Sequence, residues 1–217
     1  MLSDFLLTLF NVQYHNLYYG IVMQKYIKQQ IRSSFETKQK IYSDDNLINK
    51  ITDVAQECVK TYKDGKKTIL AGNGGSAADA QHIAAELVGR YGFDRASLPS
   101  LALTTDTSNI TAIGNDYGYD KVFSRQLEGM GQKGDLFIGI STSGNSLNVI
   151  NAFKSAKQKD ITTVALVGRD GGEMAKIADF SIVVPSSDTP RIQEAHILIG
   201  HILCDIIEKV IFSDGVH

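Results

Sequence analysis

His82 and Glu86 stand four residues apart, and in a helix that spacing puts both side chains on one face. An imidazole and a carboxylate so placed can chelate a metal ion, or can set a carboxylate base beside an imidazole. Asp79 and Arg90 share that face, while Ile83, Ala84, Leu87 and Val88 lie largely on the other. A solvated helix face with a surface ion pair fits the same pattern. Position favours chemistry, because of the turn from which this helix starts. His201 is a second candidate. It sits in an otherwise apolar helix, where a polar side chain needs a partner that either the core or an active site must supply. Gln193 lies near the start of that same helix. Asn115 and Asp116, in Ile113-Gly114-Asn115-Asp116-Tyr117-Gly118, are able to bind sugar hydroxyls or simply to shape a turn.

Two turns would position these groups. Thr68-Ile69-Leu70-Ala71 reads as a buried strand, and Gly72-Asn73-Gly74-Gly75-Ser76 as the glycine-rich turn from which the His82 helix begins. Glycine lets backbone N–H groups approach a ligand, and a helix N-terminus adds unpaired donors and partial positive charge. The pairing favours an anion, most often phosphate. The grammar repeats at Asp135 to Ile140, Ser141-Thr142-Ser143-Gly144-Asn145-Ser146, and a helix from Leu147 to Gln158. Hydroxyls in this second turn donate to phosphate oxygens without adding charge. Either turn alone could merely reverse the chain; two at strand–helix junctions make a binding role the better reading.

Further strands are predicted at Ser100 to Thr104, Thr162 to Val167 and Phe180 to Val184. Helices are predicted at Asn109 to Asn115, Lys121 to Met130, Glu173 to Ile177 and Arg191 to Phe212. Nearly continuous apolar strands alternating with helices predict an α/β, three-layer αβα sandwich around a five-stranded parallel sheet. Ligands on such sheets sit at the carboxyl ends of the strands, where both turns would lie. Two amphipathic helices precede the first strand, one from Gln24 with Ile27, Ile31 and Phe35, the other with Leu47, Ile51, Val54, Cys58 and Tyr62 on one face. The last helix is apolar nearly all round between Ala195 and Ile207, which predicts burial on every side and hence a subunit interface.

The 217 residues carry a formal net charge of −2, with no basic stripe for nucleic acid. Two cysteines without CxxC spacing read as buried thiols of a reducing compartment. Residues 1–22 hold no Lys or Arg, and their apolar run is too short to span a bilayer. The abrupt change of character at Gln24 predicts a native start at Met23, with residues 1–22 a non-native or disordered extension and 23–217 a single domain.

Taken together, Gly72-Asn73-Gly74-Gly75-Ser76, His82-x-x-x-Glu86, Gly114-Asn115-Asp116, Gly139 to Ser146 and Arg191-Ile192-Gln193-Glu194-x-His196 resemble the sugar-isomerase (SIS) family over roughly Met23 to Ile211. The serine-rich loop marks the wider family; His82, Glu86, Gln193 and His201 point to its members that act on heptose phosphates. The resemblance implies a flavodoxin-like fold and ketose–aldose isomerisation of sedoheptulose 7-phosphate through an enediol, in the cytoplasm, for lipopolysaccharide or capsule. Ser141, Thr142, Ser143 and Ser146 would hold the phosphate. Asn73, Gly74, Ser76, Asn115, Asp116 and Gln193 would contact the substrate. Glu86 and His201 would be base and acid, and His82, Glu86, Gln193 and His201 would hold one zinc per subunit. Pro190 departs from the acidic residue that some members carry there.

Gln193 and His201 are separated by about 12 Å along one helix, at about 1.5 Å per residue, so the resemblance further implies a homotetramer whose sites draw on two chains. Two rival readings fit parts of the sequence. Gly72-x-Gly74-x-x-Ala77 satisfies a loose dinucleotide fingerprint, but Asp106 lies well beyond the roughly 20 positions at which the acidic partner is wanted. Non-catalytic family members bind sugar phosphates or a replication initiator, but Glu86, His201 and the phosphate hydroxyls are all present here.

Overall fold

The computed structural model describes the backbone of residues 2–212 and the side-chain surroundings of residues 20–212. Helix α1 runs Leu2–Tyr42, so the expected break at Met23 falls inside one backbone helix, and the side chains of most of residues 1–22 lie outside the described residues. Asp44 accepts from the Leu47 N–H at 3.0 Å and so starts α2, Asp45–Lys63. There follow β1 (Thr68–Gly72), α3 (Gly75–Val88), β2 (Ser100–Ala102), α4 (Thr107–Tyr117), α5 (Ser124–Met130) and β3 (Leu136–Ser141). The chain closes with α6 (Leu147–Gln158), β4 (Thr162–Gly168), α7 (Gly172–Ile177), β5 (Phe180–Val184) and α8 (Thr189–Phe212). The helix expected at Lys121 to Met130 is split: a short 3₁₀ turn, Tyr119–Lys121, precedes α5.

All five strands are parallel, in the order β2-β1-β3-β4-β5. Successive strand residues point to opposite faces. Leu70 and Ile138 join a core with Val54, Leu87 and Ile199 under α2, α3 and α8, while Ile69 and Phe137 join Phe153, Leu127 and Met174 under α5, α6 and α7. With both faces covered, the strands need apolar side chains in both directions, hence their unbroken runs. Asp135, 1% exposed, pins the starts of β1 and β3 by accepting from the Lys67 Nζ at 2.6 Å and the Gln132 N–H at 2.8 Å. The chain reverses its direction of strand addition between β1 and β3, the switch point where ligands bind in this strand order. The two candidate turns leave those two strands.

Helices α3 and α8 lie side by side. A Cβ on Gly200 would stand 2.6 Å from Ile83 Cδ1, so glycine is what lets the two helices approach there. The buried face of α8 carries Ile192, Ala195, Ile199, Leu203, Cys204 and Ile207, but Leu198 and Ile202 are a little over a third exposed. Burial on every side is therefore not reached within one chain. Cys58 and Cys204 are free, buried thiols, and burial pushes each pKa up to about 12. No helix among the described residues is long and apolar enough to cross a membrane.

Candidate active site

The second turn gathers hydroxyls. Ser141 Oγ, at the end of β3, lies 2.9 Å from Ser146 Oγ and 3.5 Å from Ser143 Oγ. Ser146 occupies the N-cap position of α6, yet its side chain does not cap that helix, so its hydroxyl faces the other hydroxyls instead. The loop is braced from behind. Asn145 Oδ1 accepts from the Glu173 N–H at 3.0 Å, and the Met174 N–H donates to the Gly144 carbonyl at 2.9 Å. Gly144 has φ +66°, and a Cβ there would run into the Gly171 backbone, so the close approach requires glycine. Thr142 is half-buried on the same loop.

Asn73 and Gly74 form the first turn, with Gly74 at φ +56°. Asn73 exchanges two hydrogen bonds with Asn148 at the start of α6, 2.9 and 2.8 Å long, and Tyr119 Oη donates to Asn73 Oδ1 at 3.2 Å. Ser76 is buried in the first turn of α3.

Farther along α3, His82 Nε2 lies 3.1 Å from Glu86 Oε1 and 3.2 Å from His201 Nε2 on α8. The ligand atoms of these three residues all lie within 4.8 Å of one another. On a tetrahedral zinc with bonds of about 2.0–2.1 Å, neighbouring ligand atoms stand about 3.3 Å apart, so the donor set suits such an ion and the His82–Glu86 and His82–His201 spacings match it. Tyr91 packs against the His201 ring, centroids 5.7 Å apart. Asp79 sits one turn before His82; burial raises its pKa to about 6, opposed by His82, and its Oδ2 has no hydrogen-bond partner.

A buried ion pair closes the far end. Arg95 Nε donates to Glu208 Oε2 at 2.9 Å, both side chains at 2% exposure or less. The Arg95 guanidinium also donates to the Glu86 and Leu87 carbonyls in the last turn of α3, at 2.9 and 2.7 Å. Glu208 accepts from the Tyr91 and Gly92 N–H groups at 2.8 and 2.6 Å. Burial would raise the Glu208 pKa, but these N–H groups, Arg95 and the Phe93 N–H together hold it below the usual carboxylate value.

Within one chain the structure thus unites His82, Glu86 and His201, gathers the second-turn hydroxyls, and fixes Asn73. It does not bring Gln193 to the triad. A Cβ on Gly75 would collide with the Gln193 amide, so Gln193 attends the first turn, at the opposite end of α3. Asn115 and Asp116 bond to each other at 2.8 Å at the exposed end of α4; among the described residues nothing ties them to either turn. His196, the last residue of its motif, is wholly buried and neutral, its pKa pushed down to about 4 by burial. Sequence reasoning missed Asn148, Tyr119 and the Arg95–Glu208 pair. Their partners lie dozens of residues away, and nothing local marks them.

Comparison with known proteins gives a consistent picture. The SIS domain family profile matches residues 31–168. The chain is 78% identical to a phosphoheptose isomerase of Sulfurimonas denitrificans over 195 residues, covering 90% of this chain and 100% of that protein. It is 58% identical to a phosphoheptose isomerase of Aneurinibacillus thermoaerophilus over 88% of this chain and 97% of the relative. The solved structure of the phosphoheptose isomerase from Neisseria gonorrhoeae superposes with a TM-score of 0.81 at 44% identity, covering 86% of this chain and 99% of that one. The chain belongs to the SIS domain family and groups within it with the phosphoheptose isomerases.

Proposed function

We propose that the protein isomerises sedoheptulose 7-phosphate to the corresponding aldose, D-glycero-D-manno-heptose 7-phosphate, by proton transfer through an enediol. The observation that carries this reading is the meeting of His82 and Glu86, on the helix that begins at the glycine-rich turn, with His201 of α8, at 3.1 and 3.2 Å. His82 lies seven residues along α3 from Gly75, or about 10 Å at about 1.5 Å per residue. The triad therefore stands well along α3 from the turn at its start, which leaves room for a sugar carbon chain between the turns and the reacting groups.

Ser141, Thr142, Ser143 and Ser146 take the phosphate, with the start of α6 supplying N–H groups. Asn73, Gly74 and Ser76 line the path of the carbon chain. The Glu86 carboxylate removes the proton beside the carbonyl and returns it one carbon over, and His201 serves the two oxygens between which the hydroxyl proton moves. Gln193 adds a substrate contact at the first turn of its own chain, and Asn115 and Asp116 complete the contacts from a neighbouring chain in a homotetramer. The exposed Leu198 and Ile202 on α8 support such packing.

His82, Glu86 and His201 would hold one zinc per subunit, with a partner copy's equivalent of Gln193 as the fourth ligand. Held there, a metal would supply Lewis-acid polarisation of the substrate carbonyl. Ligation lowers carboxylate basicity, so the metal and base roles of Glu86 compete. The product's seven-carbon skeleton suits heptose supply to lipopolysaccharide or capsule in the cytoplasm.

Incubation with sedoheptulose 7-phosphate, followed by NMR with and without added zinc, is expected to show the aldose accumulating. No aldose under either condition would sink the reading. Native mass spectrometry is expected to find four chains per assembly; a fully active monomer would rule out the shared site.

A further inference from the structure

The amide pair between the two turns can be assigned from one backbone bond. The Val149 N–H donates at 2.9 Å to a side-chain atom of Asn148. An N–H needs an acceptor, so that atom is the amide oxygen, and the amide nitrogen of Asn148 points to Asn73. It donates at 2.8 Å, which makes the receiving atom Asn73 Oδ1. Tyr119 Oη donates to the same oxygen at 3.2 Å, and Asn73 Nδ2 returns a bond to Asn148 Oδ1 at 2.9 Å. Asn73 Oδ1 then receives two donors, and among the described residues one hydrogen of Nδ2 has no partner. Asn148 is 4% exposed and cannot reach a ligand itself.

We propose that Asn148 is a positioning residue that ties the first turn to the second and orients Asn73 as a single N–H donor toward an oxygen of the substrate's carbon chain. The sheet fixes β1 against β3 only as far as Gly72↔Ile140; beyond it, this amide pair is what sets Asn73 relative to the phosphate hydroxyls. A sugar phosphate held by its phosphate at the second turn presents its carbon chain to that donor at one distance. Inorganic phosphate, which occupies only the second turn, is indifferent to the pair. This rests on the isomerase reading above.

The test is a double-mutant cycle of Asn73→Ala and Asn148→Ala, read by turnover of sedoheptulose 7-phosphate and by calorimetric binding of both that sugar phosphate and inorganic phosphate. Each single variant is expected to lose about 10- to 100-fold in kcat/KM, as for a reacting group displaced by about 1 Å. The double variant should be no worse than Asn73→Ala alone, and affinity for inorganic phosphate should hold throughout. Losses that multiply in the double variant, or phosphate affinity falling in step with kcat/KM, would overturn the proposal. Should Asn148→Ala not fold, Asn148→Ser retains a hydroxyl for the Val149 N–H while breaking the pair, and carries the same expectation. A wild-type protein that binds sedoheptulose 7-phosphate but never converts it defeats the isomerase reading alone, since the binding cycle still decides the role of Asn148.

Discussion

Replacing Glu86 by Gln is expected to lower turnover by about 10²–10⁴-fold, the usual loss when a positioned acid–base group is removed. The substitution keeps the side chain's size. It also keeps an oxygen able to accept from His82 Nε2, now 3.1 Å from the carboxylate. What it removes is the basic electron pair and the negative charge. The side chain is only half-buried, so no buried charge is left stranded, and the circular dichroism spectrum and melting temperature should be unchanged. Zinc content measured on the same sample separates the two roles. Retained metal with lost turnover assigns the loss to the base, and turnover near wild type would remove Glu86 from the chemistry.

The second large effect is on stability. Glu208→Ala leaves the Arg95 guanidinium buried without its counter-ion, and strips acceptors from the Tyr91, Gly92 and Phe93 N–H groups. Breaking a buried pair from one side costs about 3–5 kcal/mol, which in a chain of this size lowers the melting temperature by on the order of 10 °C. Replacing both partners by leucine should cost less than either single truncation, because no unpaired charge remains. The pH dependence follows in sign. The native Glu208 pKa is held below its usual value of 4.5, so its contribution is complete above that value and is lost as pH falls through the native pKa. In wild type the melting temperature should fall in acid; in a Glu208→Gln variant the fall should be smaller. Equal acid sensitivity in the two would show that the pair is not the source.

Much of the fold was legible because its physics is local. The strand beginning at Thr68, the helix from Leu147 to Gln158 and the strand from Phe180 to Val184 follow from apolar runs and their bounding turns, and the structure places them as expected. His82 and Glu86 were readable for the same reason, since a four-residue spacing on a helix is a local fact. That His201 would meet them within the same chain was not, because it depends on Gly200 admitting Ile83 between two helices far apart in sequence. The helical stretch predicted at Asn109 to Asn115 is part of α4, Thr107–Tyr117, which also takes in Asp116; only Gly118, at φ +89°, ends it as a turn residue would. Apolar residues all round α8 were visible, but not which of them one chain would cover.

The two sealed sulfurs have a consequence for how the molecule can be watched. Cys204 lies on α8, three residues past His201, with its Sγ 4.0 Å from the Ile83 carbonyl of α3. Cys58 lies on α2, against the same core. With each pKa near 12 and each residue 1% exposed, neither offers a thiolate to a reagent at neutral pH while the helices stay together. Labelling therefore waits for an opening event, and its rate counts how often the seam carrying His82 and His201 comes apart. In a chain without tryptophan, the thiols are a native clock for breathing at the site.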